Sequence, residues 1–489
     1  MAGGCGKGTE GRGLAVPGRA VAWLAGACLC FAPGPVLAHG GTHAFVMLLP
    51  TGYYLVGGAI AVAASFLLLA FMPQRWTEAI GAARLRLASV RPPSPVPTSL
   101  LTAVVFAALI VVGFTASTDP LANPLPLTIW TVWWVGFTLL TAVAGNLWAY
   151  LNPWSGLSRV AASALFRGRR QPPLGYPGWL GYWPSVLVFI GFAWFELIDL
   201  APSNPARLAT VAAVYWAIAF LGVLLFGDIW LRRAEPFSVF FGFIGRLSPL
   251  VWEKADESPA HRQVSIAAPG VALLGRAPLP ASGILFVLLT LATVSFDGLD
   301  KTFWWLALNG INPLEFPGRS AVVGTNSAGL VATWAALAAA YIGAVWLGWR
   351  LSGRAAPFGV LLGTLVFSII PISLVYHFSH YLTALMVDGQ YALAAYSDPL
   401  DTGADLLGFR RDQVTTSFLN TYEGARGIWN TQTVAIVLGH VMGISLAHLL
   451  AARAVATYGA AVRSQIPLAV VMVLYTLFGL WLLSSPVAG

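Results

Sequence analysis

Charge is the scarcest commodity in this 489-residue chain: 9% of its residues are Asp, Glu, Lys or Arg, against 57% hydrophobic ones. Soluble domains carry roughly 25% charged residues. So little polar surface excludes a water-exposed globule, and no nucleic-acid partner is expected. Cysteine is almost missing too, since Cys5, Cys28 and Cys30 are the only three and all precede residue 38. Residues 1–38 have the form of a signal peptide: Lys7, Arg12 and Arg19 lead, "VAWLAGACLCFA" is the apolar core, and "VLA" is the small-residue cleavage site. Cleavage after Ala38 leaves a protein with no disulfide, thiolate ligand or cysteine nucleophile. Any metal is then held by nitrogen and oxygen. Walker loop, dinucleotide fingerprint, HExxH, GxSxG and CxxCH are all absent, which removes support for those enzyme classes.

What is present is hydrophobic length. A membrane span needs about 20 apolar residues, and ten such runs follow the signal: 45–71, 99–116, 127–148, 182–200, 207–230, 281–299, 329–349, 357–387, 429–452 and 464–485. The expected fold is therefore an all-α integral membrane protein of about ten transmembrane helices after a cleaved signal peptide. Residues 39–44 form a short outer segment, 45–349 hold spans one to seven, and 357–485 hold spans eight to ten. Beyond residue 38 only Arg207, Lys301, Arg319, Arg410, Arg411 and Arg426 fall in loops on the side of the new N-terminus. The remaining lysines and arginines crowd the opposite loops, so both termini are expected outside.

A parallel internal repeat is also expected. "GNLWAYLNPWS" (Gly145 to Ser155) ends span three much as "GDIWLRRAEPFS" (Gly227 to Ser238) ends span five. The spans that follow close with "FELID" and "FDGLD". The two-helix repeat units are 127–200 and 207–300, each with a short amphipathic helix lying on the inner face.

Histidines supply the sharpest chemical signal. His377 and His380 follow Pro371 in an apolar run where polar groups are costly. At i and i+3 they lie on one side of a helix, and His440 on the next span is expected at similar depth. Three imidazoles suit zinc, copper or iron, although intramembrane histidines also serve as plain interhelical donors. His39 and His43 in "HGGTH" offer a second, copper-type site at the cleaved terminus. Two turns inward of His440, His448 is expected to be a neutral structural histidine. Glu196 with Asp199, and Asp297 with Asp300, form repeated i,i+3 carboxylate pairs where their spans reach the outer interface. Asp388, Asp398, Asp401 and Asp405 are expected in the loop after span eight. The plainer reading of all these acids is solvated span ends.

"AHGGTHAFVMLLPTGYYLVGGAIAVAASFLLLAF", "HYLTALMVDGQYALAAYSDPL", "WNTQTVAIVLGHVMGISLAH" and "QIPLAVVMVLYTLFGLWLLS" together resemble a bacterial family of polytopic membrane proteins commonly labelled fenitrothion hydrolase. The likeness is best at the start and over the last three spans. It implies that His380, Gln390, Asp398, Trp429, Gln432, His440 and His448 belong to recurrent motifs, and that the chain lies in a bacterial inner membrane. Leu449 stands where the family pattern has an acid.

Three functions follow as expectations. The first is a metal-dependent hydrolase of organophosphate esters: His377, His380 and His440 hold zinc or copper, Asp297 or Asp300 completes the shell, and Asp388 is the general base. Its substrate is small and amphiphilic and enters from the bilayer. The second is a transporter or copper- or zinc-handling protein. The third is electron transfer through haem held between His380 and His440.

Overall fold

A computed structural model describes residues 51–165, 172–254 and 260–488. The expected signal peptide and the stretch containing His39 and His43 lie outside the described residues. In lipid the backbone finds no water to bond, so helices that satisfy their own N–H and C=O groups are the natural solution. The chain is an all-α, multi-pass membrane protein built for a bilayer environment.

Among the described residues, nine helices are long and apolar enough to cross a membrane. They are α1 (Thr51–Ala70), α3 (Pro95–Thr115), α4 (Pro124–Ala144), α8 (Pro205–Phe226), α11 (Ala281–Leu299), α13 (Val323–Leu351), α14 (Phe358–Ser397), α15 (Tyr422–Ala454) and α16 (Tyr458–Ser484). A shorter apolar helix, α7 (Trp183–Leu197), occupies the remaining expected span. Between them lie α2 (Gln74–Ala82), α5 (Trp148–Leu151), α6 (Ser155–Leu165), α9 (Asp228–Arg233), α10 (Pro236–Ile244) and α12 (Phe303–Leu308).

The sequence gives no warning of a three-stranded antiparallel sheet in the order β1-β3-β2, made of β1 (Leu85–Val90), β2 (Leu250–Lys254) and β3 (Arg262–Ile266). It joins segments expected to be plain loops. Each strand is five or six residues long, too short to show a period of its own, and β1 depends on a distant partner for its hydrogen bonds.

The helix α11 is the hub. Some 83% of its apolar window is buried, against 11% for α1, and it packs on α7, α13, α14 and α16. Helix α14 in turn packs on α15, α11 and α4. It differs from expectation in two ways. A 3₁₀ turn, Val366–Ser368, interrupts it just before Pro371, because proline removes a backbone donor from the preceding turn. It also runs on to Ser397, since Ala392 and Ala395 pack against Leu127 of α4. Asp388 is therefore inside a helix, not in a loop.

The two segments proposed as repeats share an order of elements. Each long helix ends at a glycine with positive φ, Gly145 (+91°) or Gly227 (+66°), a conformation that disfavours any side chain. A short helix follows, then a capping residue: Asn152 accepts from Ser155 N–H and Glu235 from Phe237 and Ser238 N–H. The second short helix is not a surface helix as expected. Pro236, Phe237, Val239, Phe240, Phe241, Phe243 and Ile244 of α10 are all buried.

Candidate functional site

Three helices that end at the same end of the bundle bring polar side chains together. α7 supplies Glu196, α11 supplies Asp297 and Asp300, and α14 supplies His377, His380 and Tyr381. The phenol of Tyr381 lies 2.9 Å from Glu196 Oε1 and 2.6 Å from Asp297 Oδ2. His380 Nε2 lies 2.9 Å from the same Asp297 oxygen. The result is a continuous chain, Glu196–Tyr381–Asp297–His380, through the packed interior. Asp297 has a side chain only 8% exposed, whereas His380 is 31% exposed, so one end of the chain reaches an accessible surface.

Proton counting constrains this chain. A tyrosine hydroxyl donates one hydrogen bond, and an ionised carboxylate only accepts. For both contacts of Tyr381 to be hydrogen bonds, one of the two carboxyls carries a proton. One arrangement that satisfies every contact has a protonated Glu196 donating to Tyr381, and Tyr381 and His380 both donating to an ionised Asp297. Glu196 Oε2 and Asp300 Oδ1 are buried without a partner, so the cluster keeps unspent acceptors.

Neighbouring residues hold the frame. Arg319 donates to the terminal carbonyls of Glu196 and Asp199 at 3.2 and 2.9 Å, fixing the end of α7, where a cation also complements the helix dipole. Asp199 is drawn away from the cluster by Arg207 at 2.6 Å. Asn326 donates to Asp300 at 3.3 Å and accepts from Trp305 at 2.9 Å. The doubled carboxylate pairs of the sequence thus split: Glu196, Asp297 and Asp300 join one cluster, and Asp199 serves as an anchor.

The three histidines expected to share a metal face three different partners. His377 Nε2 is 2.9 Å from the Trp134 carbonyl, within a π-helical stretch, Leu127–Phe137, where the looser ladder frees carbonyls. His380 turns to Asp297. His440 uses Nδ1 on the Ile436 carbonyl at 2.8 Å, and its ring lies against Tyr376 and Tyr475. Residues i and i+3 are offset by about 60° around a helix, enough for α14 to aim His377 at α4 and His380 at α11. Among the described residues, no group of three His, Cys, Asp or Glu side chains is placed to hold a metal. As placed, His377 turns to Trp134, His380 to Asp297 and His440 to Ile436, so the three imidazoles are not brought together. Asp388 lies about 12 Å further along α14 than His380, at 1.5 Å per residue, and is not part of the cluster. His448 is buried beside the Tyr458 hydroxyl at 3.2 Å and Gln465 at 3.4 Å, in keeping with a structural role.

Tyr381, the centre of the chain, is the residue that sequence reasoning passed over. Its signal was there: it sits next to His380 and one turn beyond His377 in "HFSHY". Compared with known proteins, the chain matches no family model, no curated protein and no solved structure.

Proposed function

We propose that this chain is a membrane transport protein that binds and passes protons along Glu196, Tyr381, Asp297 and His380. One observation carries the reading: a single phenolic proton lies between two buried carboxyls, in line with an imidazole that reaches accessible surface. Ionisable groups in membrane interiors are costly, and chains of Asp, Glu and His commonly serve as proton relays there. A proton arriving at His380 moves to Asp297. Tyr381 then takes that proton from Asp297 as it passes its own to Glu196, which has first released the proton it held. The excess of lysine and arginine at the other end of the bundle supports an orientation with this cluster on the outer side of a bacterial inner membrane.

The test is proton flux into vesicles holding the purified chain and a pH-sensitive dye, driven by an imposed membrane potential. Wild type is expected to exceed empty vesicles, and Asp297→Asn and Tyr381→Phe to lose about tenfold or more. Equal flux in wild type and both variants rejects the reading.

A second reading, hydrolysis of organophosphate esters, is favoured by the Asp297–His380 couple. An imidazole oriented by a carboxylate is a general base. In this role His380 takes a proton from water as the water oxygen bonds to phosphorus. The phosphorus–aryloxy bond then breaks and the phenolate leaves. Nitrophenolate release from a nitrophenyl phosphotriester, abolished in His380→Gln, supports it; release unchanged by that variant rejects it.

A further inference from the structure

The opposite end of the bundle carries a second site that owes nothing to the histidines. A half-open cavity of about 430 Å³ lies between the two motif-bearing segments, lined by Asn146 and Trp148 from the first and by Arg232 and Arg233 from the second. Arg159 of α6 and Arg246, just after α10, complete a ring of four guanidinium groups, with Asp228 as the one carboxylate in the lining. Among the described residues none of the four arginines is in an ion pair. Arg246 lies over the face of Phe243, 5.6 Å from the ring centroid. Burial, with Arg276 nearby, pulls its pKa down to about 10, so it stays charged at neutral pH.

Four cations gathered about one carboxylate repel one another and lose hydration, an arrangement that an anion relieves. A second observation points the same way. Asn146 uses its Oδ1 on the Ala149 N–H, which leaves its amide hydrogens as further donors. The lining thus offers guanidinium forks and an amide, a donor set matched to the oxygens of a phosphate group.

We infer that this cavity binds a phosphate group. Its place at the basic end of a membrane bundle allows two sources, the headgroup of an anionic phospholipid or a free phosphate. The experiment separates them. The full chain is reconstituted into vesicles of phosphatidylcholine with or without phosphatidylglycerol, extracted, and weighed by native mass spectrometry for retained lipid. In parallel, inorganic phosphate is titrated against thermal unfolding in detergent, with chloride at equal ionic strength as control. Selective retention of phosphatidylglycerol supports a headgroup site, and stabilisation by phosphate over chloride supports a free-phosphate site. Each arginine near a membrane surface contributes about 1 kcal/mol, so Arg246→Gln is expected to weaken binding about fivefold and Arg232→Gln/Arg233→Gln about twentyfold. Should Arg246→Gln fail to fold, the double variant at the more exposed positions carries the test. No preference for either phosphate form, or a preference that the double variant leaves untouched, overturns the site.

Discussion

Tyr381 carries one proton and faces two carboxyls, and the energetics of the cluster follow from that. Phenylalanine at 381 strips a hydrogen bond from Glu196 and another from Asp297, leaving buried carboxyl oxygens unpaired. Such losses cost about 1–3 kcal/mol each, so Tyr381→Phe is expected to lower the melting temperature of the purified chain as well as its proton flux. Asn326→Leu, which strips the donor from Asp300 and the acceptor from the Trp305 indole, is expected to lower the melting temperature by a comparable amount. At this scale the sequence was half legible. Glu196, Asp297 and His380 stand out because charge is so scarce around them. Their partner stands out less, because Tyr381 is 185 residues from Glu196 and 84 from Asp297, and its place beside His380 is the one local mark it bears in a chain with 14 tyrosines.

Another residue-scale prediction concerns the loop after α14. Backbone N–H groups of Thr402 and Gly403 donate to Asp398 at 2.9 and 2.7 Å, the bond from Thr402 first among the causes that hold its carboxyl below the ordinary 3.8. A lowered folded pKa stabilises the loop above the unfolded value, and that contribution is lost as pH falls through the folded one. Hydrogen-exchange protection of the Thr402 and Gly403 amides is expected to persist at neutral pH and vanish in acid. Asp398→Asn is expected to lack it at both.

Among the elements, the pairing of α14 with α15 positions most of the chemistry. Gly439 and Gly443, four apart on α15, let the two helices close. A Cβ at Gly439 would stand 2.2 Å from a methyl of Val375, and one at Gly443 would stand 2.9 Å from the Ser368 carbonyl. Small residues at this spacing are how helices approach each other in lipid. Gly443→Leu is expected to cost about 1–3 kcal/mol by overpacking, read as a lower melting temperature. Gly191→Ala on α7, where nothing lies within 4 Å, is the neutral control. Helix positions were legible because each span is one long apolar run. The ends of α14 were not. Its continuation to Ser397 rests on contacts with Leu127 that no hydropathy window contains, and β1 joins the sheet through pairings with a segment about 180 positions away.

Glu235 links element to element. Its carboxylate caps α10 through two backbone N–H groups and also accepts the hydroxyl of Tyr215 on α8. Losing a cap costs about 1 kcal/mol and stranding a buried hydroxyl adds to it. Glu235→Ala is therefore expected to destabilise by about 2 kcal/mol or more, with the melting temperature as the measure and Glu235→Gln intermediate.

Over the whole molecule, the ionisable groups divide by end. Carboxyls, Tyr381 and His380 gather where α7 and α11 finish, and unpaired arginines gather where α4 and α8 finish. A bundle polarised in this way suits a protein that takes up protons on one side and meets anionic groups on the other. The central claim is that the chain of Glu196, Tyr381, Asp297 and His380 holds a proton on a carboxyl at neutral pH, and infrared spectroscopy of the bilayer-reconstituted protein tests it most directly. The account predicts a protonated-carboxyl C=O band that shifts in D₂O and is lost in Glu196→Gln or in Asp297→Asn. A spectrum without that band, or a band that survives both substitutions, would contradict it.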